Sequence, residues 1–311
     1  MQTEQRKVTS GPSFWALLVG IDEYQAESVQ DLNGCVNDVE AMRIFLLNQL
    51  GIPENHIRML TNQQATRAAI LHSFEAFLID NPAVAFNNQM LFHYSGHGSQ
   101  MKDTTGVEPD GHNETIVPHD SRTHHPDVYD IPDKTLGALL ARLAERKGSH
   151  ITVILDSCHS GSGTRRIELP GGARVRLAPA DDRVPPADLD ADLLVGASTR
   201  SAGPSGWAAT GMSHVLLAGC RDRELSNEYW SKSGGPPGRG LISRRPSTPD
   251  FAPDLGLERV GIQSGQRLGS QEIRSHSIDT LQLHHLRCDE IRWSVRYLII
   301  ASWMICNEKH P

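Results

Sequence analysis

Two short stretches of this chain place a histidine and a cysteine in glycine-rich turns directly after apolar runs: Tyr94-Ser95-Gly96-His97-Gly98 and Asp156-Ser157-Cys158-His159-Ser160-Gly161. A free thiol titrates near pH ~8.5, so an imidazole alongside is needed to supply a thiolate at neutral pH. The glycines let the backbone bend sharply off a strand and leave room for a substrate carbonyl. The backbone N–H groups of Cys158 and Gly98 are then the expected oxyanion hole. Taken singly, His97 reads as a turn histidine and Cys158 as a small buried residue. Together, at equivalent ends of two strands, they read as a base and its nucleophile. His159 is adjacent to the thiol but points elsewhere. His93 lies on the opposite face of its strand from Tyr94 and reads as a packed histidine.

The elements that must position this pair follow from periodicity. Phe14–Ile21 is a continuous apolar run, the mark of a strand buried on both faces. Val36–Leu50 carries Val39, Met42, Leu46 and Leu50 at helical spacing and is closed by Gly51. Ile57–Leu60 is a short strand, Thr66–Leu78 a second amphipathic helix and Gln89–Tyr94 a third strand. A loop rich in Asp, His, Pro and Gly is expected over Met101–Pro132. A helix follows over Asp133–Arg146, then the strand Ile151–Asp156. After an irregular stretch, 164–190, come apolar runs at Leu193–Ala197 and His214–Cys220. Alternating strands and helices imply an α/β, three-layer fold: a mostly parallel central sheet with helices on both faces. Function in such sheets gathers at the carboxyl ends of the strands, where both turns lie.

Bulk properties narrow the class. The 311 residues carry a formal charge of -7, and the pI is near 6.1 with a mean hydropathy of -0.37. That balance offers no basic footprint for nucleic acid, and no apolar run approaches the ~18 residues that span a bilayer. Five sparse cysteines make no disulfide framework, and the polar N-terminus lacks a secretory h-region, so a cytosolic or nuclear location is expected. Residues 1–12 read as a disordered lead-in, 13–229 as one domain, and 230–311 as an irregular, partly disordered tail of Gly, Pro, Ser and Arg.

Several motifs in order carry a family resemblance over roughly 13–229: LLVGIDEY, LNGCVNDVEAM, HYSGHGSQ, DGHNETIVPHD, DSCHSGSGTR and HVLLAGCRDRELSNE. In these the chain resembles the caspase-like cysteine peptidases, and specifically the fungal metacaspases and metacaspase-like proteins. The resemblance implies a Cys158–His97 dyad and cleavage after Arg or Lys rather than Asp. It places a basic-residue subsite at Asp38 and Asp156, with Cys35 and Ser95 as its smaller lining residues. Two carboxylates in a partly dry pocket attract a guanidinium and repel a carboxylate. By itself, Asp38 also reads as a charge stabilised at a helix N-terminus.

The resemblance also raises calcium, which wants six to eight oxygens. Here Asn113 stands in Asp110-Gly111-His112-Asn113-Glu114 where an acid is usual, Lys134 follows Asp133, and Arg165 follows the nucleophile. Each position has lost a negative charge, so no metal or other cofactor is expected. Arg165, Arg166, Arg174, Arg176 and Arg183 lie in a loop expected to be exposed, and an Arg-specific enzyme would cut itself within 164–190. After RELSNEYW the chain leaves the family pattern, and no closing strand can be assigned. That departure keeps an alternative open, a catalytically inactive caspase-fold scaffold, and a thiol acyl transferase is a more distant one. His284, His285 and Cys288 lack a second ligand pair at zinc spacing, and no P-loop, GxGxxG or GxSxG motif is present.

Overall fold

The computed structural model describes residues 13–106, 108, 110–124, 127–158, 174–194, 214–218 and 263–264. Its main sheet has the strand order β2-β1-β3-β7-β8-β9. The strands are β1 (Phe14–Gly20), β2 (Ile57–Thr61), β3 (Gln89–Ser95), β7 (Ile151–Asp156), β8 (His214–Ala218) and the two-residue β9 (Gln263–Ser264). All pairings are parallel except β8 with β9. Among the described residues, that edge strand is the element that falls in a stretch whose sequence offers no apolar period.

Helices cover both faces. α1 (Cys35–Asn48) lays Val39, Met42, Phe45 and Leu46 against Ala16, Leu18, Leu91 and Ile154. On the other face α2 (Arg67–Ser73), its π-helical continuation Phe74–Ile79 and α3 (Asp133–Lys147) bury Ile70, Phe74, Leu78, Leu136, Leu139 and Leu143. These pack against Leu17, Val19, Phe92, Val153 and Leu155. The odd–even alternation along β1, β3 and β7 sends successive side chains to the two layers, so the runs are apolar throughout. Thr66 caps α2 by accepting the Ala69 N–H at 3.2 Å, and Gly148 ends α3 at φ +90. Among the described residues no helix is long and apolar enough to cross a membrane.

Two expectations need correction, and one apolar run gains an assignment. The stretch Met101–Pro132 is not one long loop: β4 (Gly98–Lys102), β5 (His112–Ile116) and β6 (Ile131–Pro132) form a second, antiparallel sheet. These strands are short and mixed in polarity because the sheet is half covered, so they leave little period-2 signal. The run at Leu193 begins as a short helix, α4 (Ala191–Leu194). The arginine loop is not uniformly exposed: Arg176 has 0% of its surface accessible. The lead-in 1–12, His159, Arg165 and Arg166, and the tail 230–311 apart from β9, lie outside the described residues.

Candidate active site

The chain order places β2 on one side of β1 and β3 on the other, so the strand order reverses beside β1. Crevices in open α/β sheets form at the carboxyl ends of strands at such a reversal. Three loops meet there: the one after β1, carrying Asp22, Tyr24 and Gln30; the turn after β3, carrying His97; and the turn after β7, carrying Cys158. Ser95 pairs in register with Asp156 at the last step of the β3–β7 ladder. His97 and Cys158, each two residues further on, therefore leave the sheet at the same level. Both are buried.

Local packing fixes each part. Asp22 accepts the Cys35 N–H at 2.7 Å and the Val36 N–H at 3.2 Å, capping α1 from a distant loop. A Cβ at Gly20 would come within 2.5 Å of Val39 Cγ2 and 2.8 Å of the Cys35 carbonyl oxygen. That glycine lets the first turn of α1 press against β1 and carries Cys35 and Asp38 to the sheet edge. Gly96 is similarly constrained, since a Cβ there would lie 2.6 Å from Tyr94 Oη. Tyr94 Oη donates to the His97 carbonyl at 2.7 Å, and Tyr24 Oη accepts the His97 N–H at 2.8 Å.

His97 Nε2 lies 2.7 Å from the Gln30 carbonyl oxygen. A carbonyl can only accept, so Nε2 carries the proton and Nδ1 keeps the lone pair. Nδ1 is buried and has no hydrogen-bond partner in the structure. Burial pushes the imidazole pKa down to about 4; the Gln30 hydrogen bond opposes this, and the Arg122 and Arg176 guanidinium charges add to it. The ring is thus neutral at pH 7, with a basic nitrogen available. His93 is packed, as expected, but neither of its ring nitrogens is hydrogen-bonded; burial lowers its pKa to about 3.

The four pocket residues converge on a single cation that the sequence did not single out for the role. Arg176 places Nη2 at 2.6 Å from Asp38 Oδ2 and Nη1 at 2.6 Å from Asp156 Oδ2. Nη1 also donates to Ser95 Oγ at 2.7 Å, and Ser95 Oγ donates to Asp38 Oδ2 at 3.2 Å. Cys35 is fully buried in the same neighbourhood. Burial opposes the charge on Arg176, but Asp156 and Asp38 outweigh it and hold the guanidinium firmly protonated. The Arg176 carbonyl oxygen accepts the Gly98 N–H at 3.1 Å and the Cys158 N–H at 3.0 Å. Two donors on one oxygen hold those nitrogens within about 6 Å of each other, the geometry an oxyanion hole requires. Sequence reading missed Asp22, Tyr24 and Gln30, and it placed Arg176 among solvated arginines.

The calcium positions do not form a cage. Lys134 Nζ sits 3.2 Å from Asp103 Oδ1 and 3.4 Å from Glu108 Oε1, so an ammonium already lies among the acids. The Asn113 Oδ1 atom is buried without a hydrogen bond, and the buried Asp133 carboxyl faces the backbone N–H groups of Asp133 and Lys134. Burial nonetheless pushes the Asp133 carboxyl up to about 7, toward its neutral form. Among the described residues no group of three His, Cys, Asp or Glu side chains gathers around a point. The residues present do not fit a hard cation that wants six to eight oxygens.

A mostly parallel sheet covered by helices on both faces, with two glycine-rich turns at one rim, is the architecture of an α/β caspase-like fold. Residues 15–165 match the family model of the metacaspase, peptidase C14 domain. Metacaspase-1A of Aspergillus oryzae is 35% identical over 161 residues, covering 50% of this chain and 35% of that protein. Metacaspase-1 of Ajellomyces capsulatus is 35% identical over 161 residues, covering 50% of this chain and 42% of that protein. Metacaspase-1 of Eremothecium gossypii is 33% identical and is covered over 33% of its length. The chain thus spans well under half the length of these curated relatives. A crystal structure of a Geobacter sulfurreducens protein aligns with a TM-score of 0.48 at 23% identity, over 69% of this chain and 75% of that one.

Proposed function

We propose that the domain is an endopeptidase that cuts after Arg or Lys through a Cys158–His97 dyad. The observation that carries this reading is the grip on Arg176: its guanidinium lies between two carboxylates while its carbonyl oxygen takes two backbone N–H groups. A pocket with that charge accepts a basic side chain and would leave an aspartate buried against two like charges.

In the reaction His97 Nδ1 takes the Cys158 proton as sulfur attacks the substrate carbonyl. The Gly98 and Cys158 N–H groups receive the oxyanion, and the Gln30 carbonyl steadies the imidazolium through Nε2. The leaving amine collects the proton from Nδ1; water, deprotonated by the same nitrogen, then attacks the thioester carbonyl, and the C–S bond breaks to free the acid while the proton returns to Cys158 sulfur. Lys134 between Asp103 and Glu108 supports a calcium-independent enzyme. A thiol nucleophile needs a reducing setting, which favours the cytosol or nucleus.

The test is turnover of fluorogenic peptides ending in Arg, Lys or Asp, with calcium or a chelator, by wild type and Cys158→Ala. Cys158-dependent cleavage after Arg and Lys is expected. Cleavage confined to the Asp peptide would overturn the pocket assignment.

A further inference from the structure

The polypeptide downstream of the nucleophile crosses the site it helps to build. Upstream of Arg176, the Arg174 guanidinium donates to the Asp31 carbonyl at the edge of an open groove of about 540 Å³. Asp22, Glu23 and Asp31 lie along that groove. Downstream, the Ala178 N–H donates to the Gly98 carbonyl at 2.9 Å and the Asp181 N–H to the Gln100 carbonyl at 2.8 Å. Residues 177–181 thereby bridge to β4 in parallel fashion. Arg122 Nη1 donates to the Pro179 carbonyl at 2.6 Å while its Nη2 pairs with Asp130 at 2.8 Å. Arg183 pairs with Asp181 at 2.7 Å, donates to the Val128 carbonyl at 2.9 Å, and lies 4.5 Å over the Tyr129 ring.

We propose that residues 174–183 are a substrate-like strap that keeps the peptidase latent, with Arg176 in the place of a substrate's arginine. The proposal rests on the Arg/Lys-directed reading of the site and adds its regulation. Three features match a substrate rather than a structural ion pair. The side chain fills the charged pocket, the carbonyl oxygen takes the two N–H groups, and a second arginine two residues upstream reaches the acidic groove. An ion pair built only for stability would need none of the carbonyl contacts.

The anchoring on the far side explains why such a segment blocks the site rather than passing through it. Attack of Cys158 sulfur on the Arg176 carbonyl carbon would break the bond to the Leu177 nitrogen. That amine would gain the thiol's proton through His97. Its chain is fastened to β4, Arg122 and the Arg183–Asp181 pair, so the new amine stays beside the thioester. Held there, it attacks back at high effective concentration and restores the peptide faster than water restores the free thiol. An external peptide therefore competes with an occupant that cannot diffuse away, and its apparent kcat/KM is scaled by the fraction of molecules with the strap open.

The experiment compares the full chain as wild type, Cys158→Ala, Arg176→Ala and Arg183→Ala, each with a thermal melt and with kcat/KM on an arginine fluorogenic peptide. Arg176→Ala empties the pocket and is expected to raise kcat/KM about tenfold or more. Arg183→Ala loosens the downstream anchor with the pocket intact and is expected to give a smaller rise. Benzamidine, a compact pocket-sized cation, should stabilise Arg176→Ala in the melt far more than wild type. A cooperatively folded Arg176→Ala turning over no faster than an active wild type would overturn the strap. If Arg176→Ala loses its cooperative melt, Arg183→Ala decides: faster turnover than wild type supports the strap, and equal or slower turnover overturns it. Absence of Cys158-dependent turnover from every variant would remove the peptidase reading itself, and the strap with it.

Discussion

Asp38 pairs with Arg176, and on the proposed reading it would hold a substrate's arginine in the same way. The substitution Asp38→Asn separates them. Asp38 Oδ2 meets Arg176 Nη2 at 2.6 Å with both side chains almost wholly inaccessible. Neutralising one member of such a buried charge pair costs about 2–5 kcal/mol, roughly thirtyfold in binding at the low end. In an Arg176→Ala background only the external substrate feels that loss, so kcat/KM on an arginine peptide should fall about thirtyfold or more. In the wild-type background the strap weakens by a similar factor and opens more often. The two effects offset, and the net fall should be only a few-fold. The assay is a four-member cycle of initial rates at substrate concentrations far below KM. Equal falls in both backgrounds would refute the shared-pocket reasoning.

Other expectations can be checked alongside. Burial lowers His93 to about 3, and His97 and His214 to about 4, against an unfolded value near ~6.5. Between those limits the unfolded chain binds the extra protons, so stability falls on acidification, by about 1.4 kcal/mol per pH unit for each histidine. Asp133, raised to about 7, acts with the opposite sign, but one group does not cancel three. Urea midpoints of Cys158→Ala should drop from pH 6.5 to pH 4.5, and identical midpoints would contradict this. Tyr24→Phe strips the acceptor from the His97 N–H. It should lower kcat about tenfold with little change in KM, since an unpaired buried donor costs roughly 1–3 kcal/mol; an unchanged kcat would contradict the positioning role. Asp22→Ala removes the cap of α1 and should lower the melting midpoint by about 2–6 °C, from a cap worth ~0.5–2 kcal/mol. With Lys134 lying among the acids, a chelator should leave turnover within about twofold, and a larger loss would restore a metal to the site.

Much of the scaffold was legible because it rests on local signals. The strands Phe14–Gly20, Gln89–Ser95 and Ile151–Asp156 are buried on both faces, and their composition announces them. The two glycine-rich turns announced the rim in the same way. What escaped depends on contacts between distant residues. Arg176 lies 138 positions from Asp38, and one arginine among several in a polar loop has no periodicity to betray its burial. Asp22 caps α1 from 13 residues upstream of Cys35, beyond the reach of a rule that inspects the adjacent residue. Gln30 acts through a backbone carbonyl, to which its side-chain identity gives no clue. The second sheet was obscured by strands only two to five residues long.

Mass spectrometry of the chain after exposure to an arginyl chloromethyl ketone and its aspartyl analogue tests the thiol, the base and the pocket together. A single arginyl adduct at Cys158 is expected, forming faster in Arg176→Ala, slowly in His97→Ala and not at all in Cys158→Ala. Labelling at Cys35 instead, or an aspartyl probe reacting as fast as the arginyl one, would contradict the assignment of Cys158, His97 and the paired carboxylates as an arginine-directed site.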